Sequence, residues 1–316
     1  MQDPVLKRWI GVVAKRPGVQ KAIMTAPVLR DLARRFFAGV DLAGGLRAVR
    51  ALNAQGIKGT LNYVGIHCRS EIEAASAAAA TIESLRRIHE EELDSHVSIK
   101  LTNLGLDLGE PLCRRHLLDV LDTARELGNF VRIDMEESPY VETTLRLFEE
   151  MRQVYGPGTV GIVVQSYLRH RRGDLDRLLA GGSRIRLVKG GYWESPDVVF
   201  RDRREIDAAF RHDLGRLLNH GRDPAIATHD AGAIACALQA ATAAGLTPVH
   251  YEFQMAYGVR EDLQHALVSQ GYRVRCYVPY GERWYTFITP RFMLKVVRYA
   301  RTARSADPLA EICAPA

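Results

Sequence analysis

Eight short runs rich in β-branched residues recur along the chain, with longer amphipathic segments between them. The runs are GTLNYVG at 59–65, VSIKLTN at 97–103, NFVRIDM at 129–135, TVGIVVQ at 159–165, RIRLVKG at 184–190, AIATHD at 225–230, VHYEFQM at 249–255 and YRVRCYV at 272–278. Helical periodicity is expected over 71–92, 112–127, 140–154, 203–219, 230–244, 259–269 and 290–302. Strands alternating with helices build parallel βαβ units, because a parallel neighbour needs a crossover. An open doubly wound sheet alternates in the same way, so the count of strands decides. Eight units with no break in composition point to one α/β domain, a closed (β/α)8 barrel of the TIM type. At 316 residues, 47% of them hydrophobic, the chain is long enough for one such core.

Residues 1–55 read as additional N-terminal helices, and FFAGVDLAGGLRAVRALNAQG (36–56) reads as a helix pair packed near the barrel. The catalytic barrel is expected over 56–304 and a loosely held tail over 305–316. No run approaches the eighteen or so apolar residues of a membrane helix, and the first residues show no secretory signal. Cys68, Cys113, Cys236, Cys276 and Cys313 are scattered, with no pair two residues apart. Neither a zinc site nor a disulfide framework is expected, and a cytoplasmic location follows. The formal net charge of +6 suits a phosphate-bearing cofactor or an anionic surface. Runs such as RHRR (169–172) and RDRR (201–204) read as solvated faces, and no basic stripe interleaves with aromatics, so no nucleic-acid partner is expected.

Barrel active sites lie at the carboxy-terminal ends of the strands. Strand interiors are expected to be apolar, so polar groups near those ends are informative. They are Lys100, Asp134, Gln165, Arg186 with Lys189, Thr228 with His229, Glu252 with Gln254, and Tyr277. Buried charges must be paired or meet a ligand. No metal site is evident: there is no HxH or HExxH, and His229 and Asp230 are adjacent and cannot both turn inward from a regular strand. No GxSxG elbow supports a hydrolase. Gly190–Gly191 after Lys189 is where backbone could approach a phosphate, although a Gly-Gly pair more often serves a turn.

The stretches VSIKLTNLGLD, RIDMEE, VVQSYLR, RLVKGGYWE, ATHD, YEFQMAYG and YVPYGERWY resemble, in order and spacing, the motifs of the flavin-dependent proline dehydrogenases. The resemblance runs from about residue 36 to residue 292 and implies a barrel with FAD at its carboxy-terminal face. It implies that Arg186 hydrogen-bonds the flavin N5 and that Gln165 and Met135 touch the flavin. Lys189, Gly190 and Gly191 would lie along the cofactor, the lysine near its pyrophosphate, and Thr228 and His229 would contact the ribityl–adenosine portion. Lys100 and Tyr277 would line the substrate pocket. Asp134 would be catalytic with Lys100 and Arg186, holding Lys100 or the substrate amine, or helping to deprotonate that amine. An arginine fixed beside the flavin favours its reduced, anionic form.

The chain departs from the resemblance on the substrate side. The family's paired arginines on the last helix, preceded by a tyrosine, correspond to Phe287-Ile288-Thr289-Pro290-Arg291, so Arg291 alone remains of the pair and Phe287 replaces the tyrosine. Losing one charged partner of a carboxylate costs about 2–5 kcal/mol. Ala256 replaces a leucine, Gly191 an alanine, and Asn62 and Ile66 stand where an aspartate and a glutamate are common. These changes lead to the expectation of a larger or non-proline amine, or an N–N compound, as substrate, in specialised metabolism. Oxidation of L-proline to 1-pyrroline-5-carboxylate through Lys100 and Arg291 is the alternative. A flavin-binding barrel without catalysis, and a lyase using Lys100 or Lys189 as a Schiff base, are the readings of other classes. The electron acceptor would be a quinone or oxygen, reached by peripheral membrane association at most.

Overall fold

The computed structural model describes residues 35–65 and 67–282. Within them the chain runs α1 (Leu42–Asn53), β1 (Lys58–Tyr63), α2 (Glu71–Glu90), β2 (Ser95–Ile99), α3 (Glu110–Glu126), β3 (Val131–Ile133), α4 (Ser138–Tyr155) and β4 (Val160–Gln165). It continues α5 (Arg172–Ala180), β5 (Arg184–Val188), α6 (Arg203–His220), β6 (Arg222–Ala227), α7 (Ala231–Ala243), β7 (Glu252–Ala256), α8 (Glu261–Ser269) and β8 (Arg273–Tyr280). The strands pair in parallel in chain order and close into a barrel, β8 returning to β1 in the register Lys58↔Arg275 through Tyr63↔Tyr280. The expected (β/α)8 fold is therefore present.

Local chemistry fixes where the helices begin. Ser70 Oγ accepts from the Glu73 amide, and the Glu73 carboxylate accepts in return from the Arg69 amide at the start of α2. Asp230 accepts from the amides of Gly232 and Ala233 at the start of α7. α3 and α4 carry proline in their first turn, where its missing N–H costs nothing.

The apolar core lies between the sheet and the helix ring. Val97, Ile99, Val131, Ile133, Ile162, Ile185, Leu187, Ile226, Phe253 and Val274 are buried on the strands' outer face. Because side chains alternate along a strand, their neighbours point into the barrel. Those neighbours include Thr60, His96, Ser98, Arg132, Arg186, Glu252, Gln254 and Arg275, all buried. The expectation of apolar strand interiors is thus corrected: the lumen is polar and filled by arginine and carboxylate pairs. Glu252 opens β7 and pairs with Arg275 at 3.0 Å, so it belongs to this internal network and not to the carboxy-terminal mouth.

Two further expectations are corrected. The helix pair over 36–56 is one helix, α1, because residues 36–41 run irregularly until Asp41 caps it through the Gly44 amide. α1 lies against β1 and β8, where the sheet closes. α5 was not expected. Its charged lead-in masks a short amphipathic turn that buries Leu175, Leu178 and Leu179. Arg169 is no plain solvated residue either, since its Nε donates to the carbonyls of Pro196 and Val199 and its guanidinium stacks 4.5 Å from the Phe200 ring. The helix expected at 290–302, the tail at 305–316, residues 1–34 and Ile66 lie outside the described residues.

Candidate active site

Four of the expected residues converge at the carboxy-terminal end of the lumen. Asp134, immediately after β3, is the hub. Its Oδ2 receives Lys100 Nζ at 2.9 Å and the Tyr277 hydroxyl at 2.9 Å. Its Oδ1 receives the Ser98 hydroxyl at 2.6 Å and the Arg186 guanidinium. Lys100 also lies 3.2 Å from the Tyr277 hydroxyl, and Arg186 donates to Gln254 Oε1 at 3.2 Å. All six come from strands or the residue just after them, so rigid backbone sets the geometry.

Burial alone would raise the Asp134 carboxyl, but the charges of Lys100 and Arg186 and the Ser98 hydrogen bond hold it well below the usual carboxylate range. Burial works against the Lys100 ammonium, and Asp134 outweighs it, so Lys100 is held well above its ordinary value. Burial and then Asp134 push the Tyr277 hydroxyl up. The site therefore carries a fixed anion flanked by two fixed cations and a neutral phenol. An anion held this firmly is a poor base, which favours the reading in which Asp134 holds Lys100 over the one in which it helps to deprotonate the amine. On folding, its depressed value contributes stability that is fully present above its unfolded pKa of about 3.9 and is lost only in strong acid.

A second group lines the mouth beyond β5 and β6. Lys189 Nζ bridges Asp207 at 2.6 Å and Asp230 at 2.9 Å. Burial opposes its charge, yet these two carboxylates raise its pKa. Gly190 sits at φ +110, and an added Cβ would lie 2.2 Å from the Tyr167 ring. His229 Nε2 accepts from the Ala256 amide at 2.7 Å, which puts the ring proton on Nδ1. Thr228 Oγ1 accepts from the Asp230 amide. Gln165 Nε2 donates to the Glu136 carbonyl at 2.8 Å, and Met135 is buried beside them. Gly191 and Ala256 are at the mouth, whereas Phe287, Pro290 and Arg291 lie outside the described residues. Among the described residues there is no cluster of metal-ligating side chains.

Three contributors escaped the sequence reading. Ser98 shares Asp134 with Arg186, and it lies two residues before Lys100, so simple alternation along β2 marks it. Glu136 is buried and binds the Thr102 amide and hydroxyl. Asp207 comes from the first turns of α6, and no local signal ties it to Lys189.

Comparison with known proteins decides the lineage. The family model described as proline dehydrogenase matches residues 45–285. The chain belongs to the proline dehydrogenase family. Proline dehydrogenase 1 of Bacillus subtilis is 37% identical over 259 residues, covering 82% of this chain and 85% of that protein. The proline dehydrogenase of Deinococcus radiodurans is 34% identical over 294 residues, covering 92% and 94%. The proline utilization A structure from Bdellovibrio bacteriovorus, inactivated by N-propargylglycine, superposes with a TM-score of 0.79 at 24% identity. That match covers 90% of this chain but only 35% of the longer protein, and it speaks to the fold. Membership makes the chain a flavin-dependent oxidoreductase acting on a CH–NH bond.

The mouth fits such a cofactor. Gly190 lets backbone pass where a side chain would collide with Tyr167, Lys189 offers a cation suited to a phosphate, and the buried Ser166 hydroxyl has no partner among the described residues. Gly190→Ala places a methyl against Tyr167 in a backbone region hostile to L residues, so purified protein is expected to retain at most a tenth or so of its flavin absorbance per chain.

Proposed function

We propose that the chain oxidises L-proline to 1-pyrroline-5-carboxylate with FAD as cofactor and a quinone as electron acceptor. The observation that carries this reading is the pairing of Lys100, Tyr277 and Arg186 on one Asp134 in a chain at least 34% identical, over most of its length, to proline dehydrogenases. Relatives this similar favour proline itself over the larger or N–N substrate that Ala256, Gly191 and the 287–291 stretch led us to expect. No other observation supports the larger substrate.

FAD, when bound, supplies the acceptor for the electron pair of the ring C–H bond. Arg186, locked by Asp134, Ser98 and Gln254, is the residue placed to donate to its ring system. Lys189 would neutralise the pyrophosphate, with Gly190 and Gly191 alongside, and Thr228, His229, Gln165 and Met135 would line the cofactor. Lys100 and Arg291 would bind the substrate carboxylate, with Tyr277, Ala256 and Phe287 shaping the pocket. Asp134 acts by fixing Lys100, Arg186 and Tyr277 and offsetting their charge, and it takes no proton. No helix among the described residues is long and apolar enough to cross a membrane. Access to quinone would then rest on peripheral contact of a cytoplasmic enzyme with the inner face.

Two measurements check this. Incubation with L-proline and a soluble quinone is expected to yield 1-pyrroline-5-carboxylate, trapped as its coloured adduct with an aromatic aminoaldehyde. Absence of product from flavin-loaded protein overturns the assignment. Because only the free amine reacts, kcat/KM for L-proline is expected to rise with pH across the neutral range. No inflection should come from Asp134, whose proton is lost far below that window, or from Lys100, which keeps its proton through it. A carboxylate-like inflection near pH 4–6 that disappears in Asp134→Asn contradicts this account of Asp134.

A further inference from the structure

The amino-terminal half of the barrel lumen holds polar groups that the proline site does not use. Arg132 on β3 is 1% exposed and has no carboxylate within 4.0 Å among the described residues. Its Nη1 donates to the carbonyls of Ile162 and Arg184, while its Nε has no partner among the described residues. Both ring nitrogens of His96, on β2, are likewise buried and unpartnered, as is the Thr60 hydroxyl on β1. These residues sit together. Thr60 is the direct register partner of His96, and the register Ser98↔Arg132 puts Arg132 one inward step from it. The Phe130 ring joins them, 5.1 Å from the His96 ring and 4.8 Å from the Arg132 guanidinium. Gly161 is needed opposite, since a Cβ there would lie 2.6 Å from Arg132 Nη1.

Charge is unbalanced at the same place. Arg184 and Arg273 share Asp223, and Arg275 takes Glu252, which leaves Arg132 without a carboxylate in direct contact among the described residues and with Glu252 acting on it only at longer range. Burial, then Arg275, Arg132 and Arg184, hold His96 well below its ordinary pKa, so it stays neutral beside them. Water would satisfy hydrogen bonds here but not the charge, and an uncompensated buried cation is costly.

We propose that Arg132 Nε, one N–H of His96 and the Thr60 hydroxyl bind a small monovalent anion, chloride being the obvious one, inside the barrel beneath the active site. The three donors come from three neighbouring strands, so the ion would tie β1, β2 and β3 together. Its contribution is to stability, independent of turnover.

The test uses the full chain in chloride or gluconate at equal ionic strength. Chloride at about a hundredfold over its dissociation constant is expected to raise the melting temperature by about 3–8 °C. Bromide is expected to do the same and to give an anomalous peak within hydrogen-bond distance of Arg132 Nε in crystals. Arg132→Met, which removes the cation while keeping volume, is expected to abolish the halide dependence. Should that variant fail to fold, Thr60→Val removes one donor and is expected to weaken halide binding about three- to tenfold. Equal melting temperatures in chloride and gluconate, or bromide crystals showing water alone between Arg132 and His96, overturn the proposal.

Discussion

Asp134→Asn is expected to cost about 3–5 kcal/mol of folding stability in denaturant titration, although it changes almost no volume. The carboxylate faces two buried cations, Lys100 and Arg186, and the amide that replaces it offsets neither. One of its two polar atoms also becomes a donor aimed at groups that are themselves donors. Catalysis should fall with stability, because this carboxylate is the one partner that Lys100 and Arg186 share. A loss of at least about a hundredfold in kcat/KM is expected, in line with what misplaced catalytic groups cost. Adding Lys100→Met to Asp134→Asn removes one of the stranded charges, so the double variant is expected to recover part of the lost stability and none of the activity. If Asp134→Asn were as stable as the parent, the charge balance described for this hub would be wrong.

Arg186→Lys is the second large effect. Lysine keeps the charge and leaves Asp134 compensated, so the protein should fold. What it loses is the planar fork that reaches Asp134, Ser98 and Gln254 at once. With that fork goes the fixed donor proposed to face the flavin ring, and the loss of one preorganised donor is worth about 10²–10³ in kcat. KM for L-proline should move much less, since Arg186 is not proposed to touch the substrate carboxylate. A reduction potential shifted to more negative values would accompany the loss, because a mobile ammonium stabilises the reduced cofactor less well. A variant with unchanged kcat would remove Arg186 from the chemistry.

Much of the fold was legible because two periodicities write it. β-branched runs separated by room for a helix matched all eight strands within a few residues, and the helices expected over 71–92 and 230–244 are reproduced as α2 and α7, which Ser70 and Asp230 cap. α5 was missed because nine residues led by charge carry too little apolar repeat to stand out. The polar lumen was missed for another reason. Arg184 and Arg186, or Arg273 and Arg275, are spaced as inward neighbours, but charge spaced by two also describes a solvated face, and only closure of the barrel makes it interior. The hub at Asp134 was partly visible from strand ends, and the family motifs supplied the pairing with Lys100. The clasp of Asp207 and Asp230 on Lys189 was not, because it joins β5 to the first turns of α6 and α7 across distances that no local pattern records. The expected larger substrate drew on Ala256 and Gly191, two small residues at the mouth, and on the 287–291 stretch; close relatives outweigh that inference.

The most direct test of the account is anaerobic reduction of the bound flavin by L-proline in rapid mixing. The oxidised flavin absorbance is expected to bleach fully with L-proline, at a rate that saturates with its concentration, and more efficiently than with larger cyclic amines. Flavin left oxidised by L-proline, while a larger amine or an N–N compound bleaches it, would contradict the account.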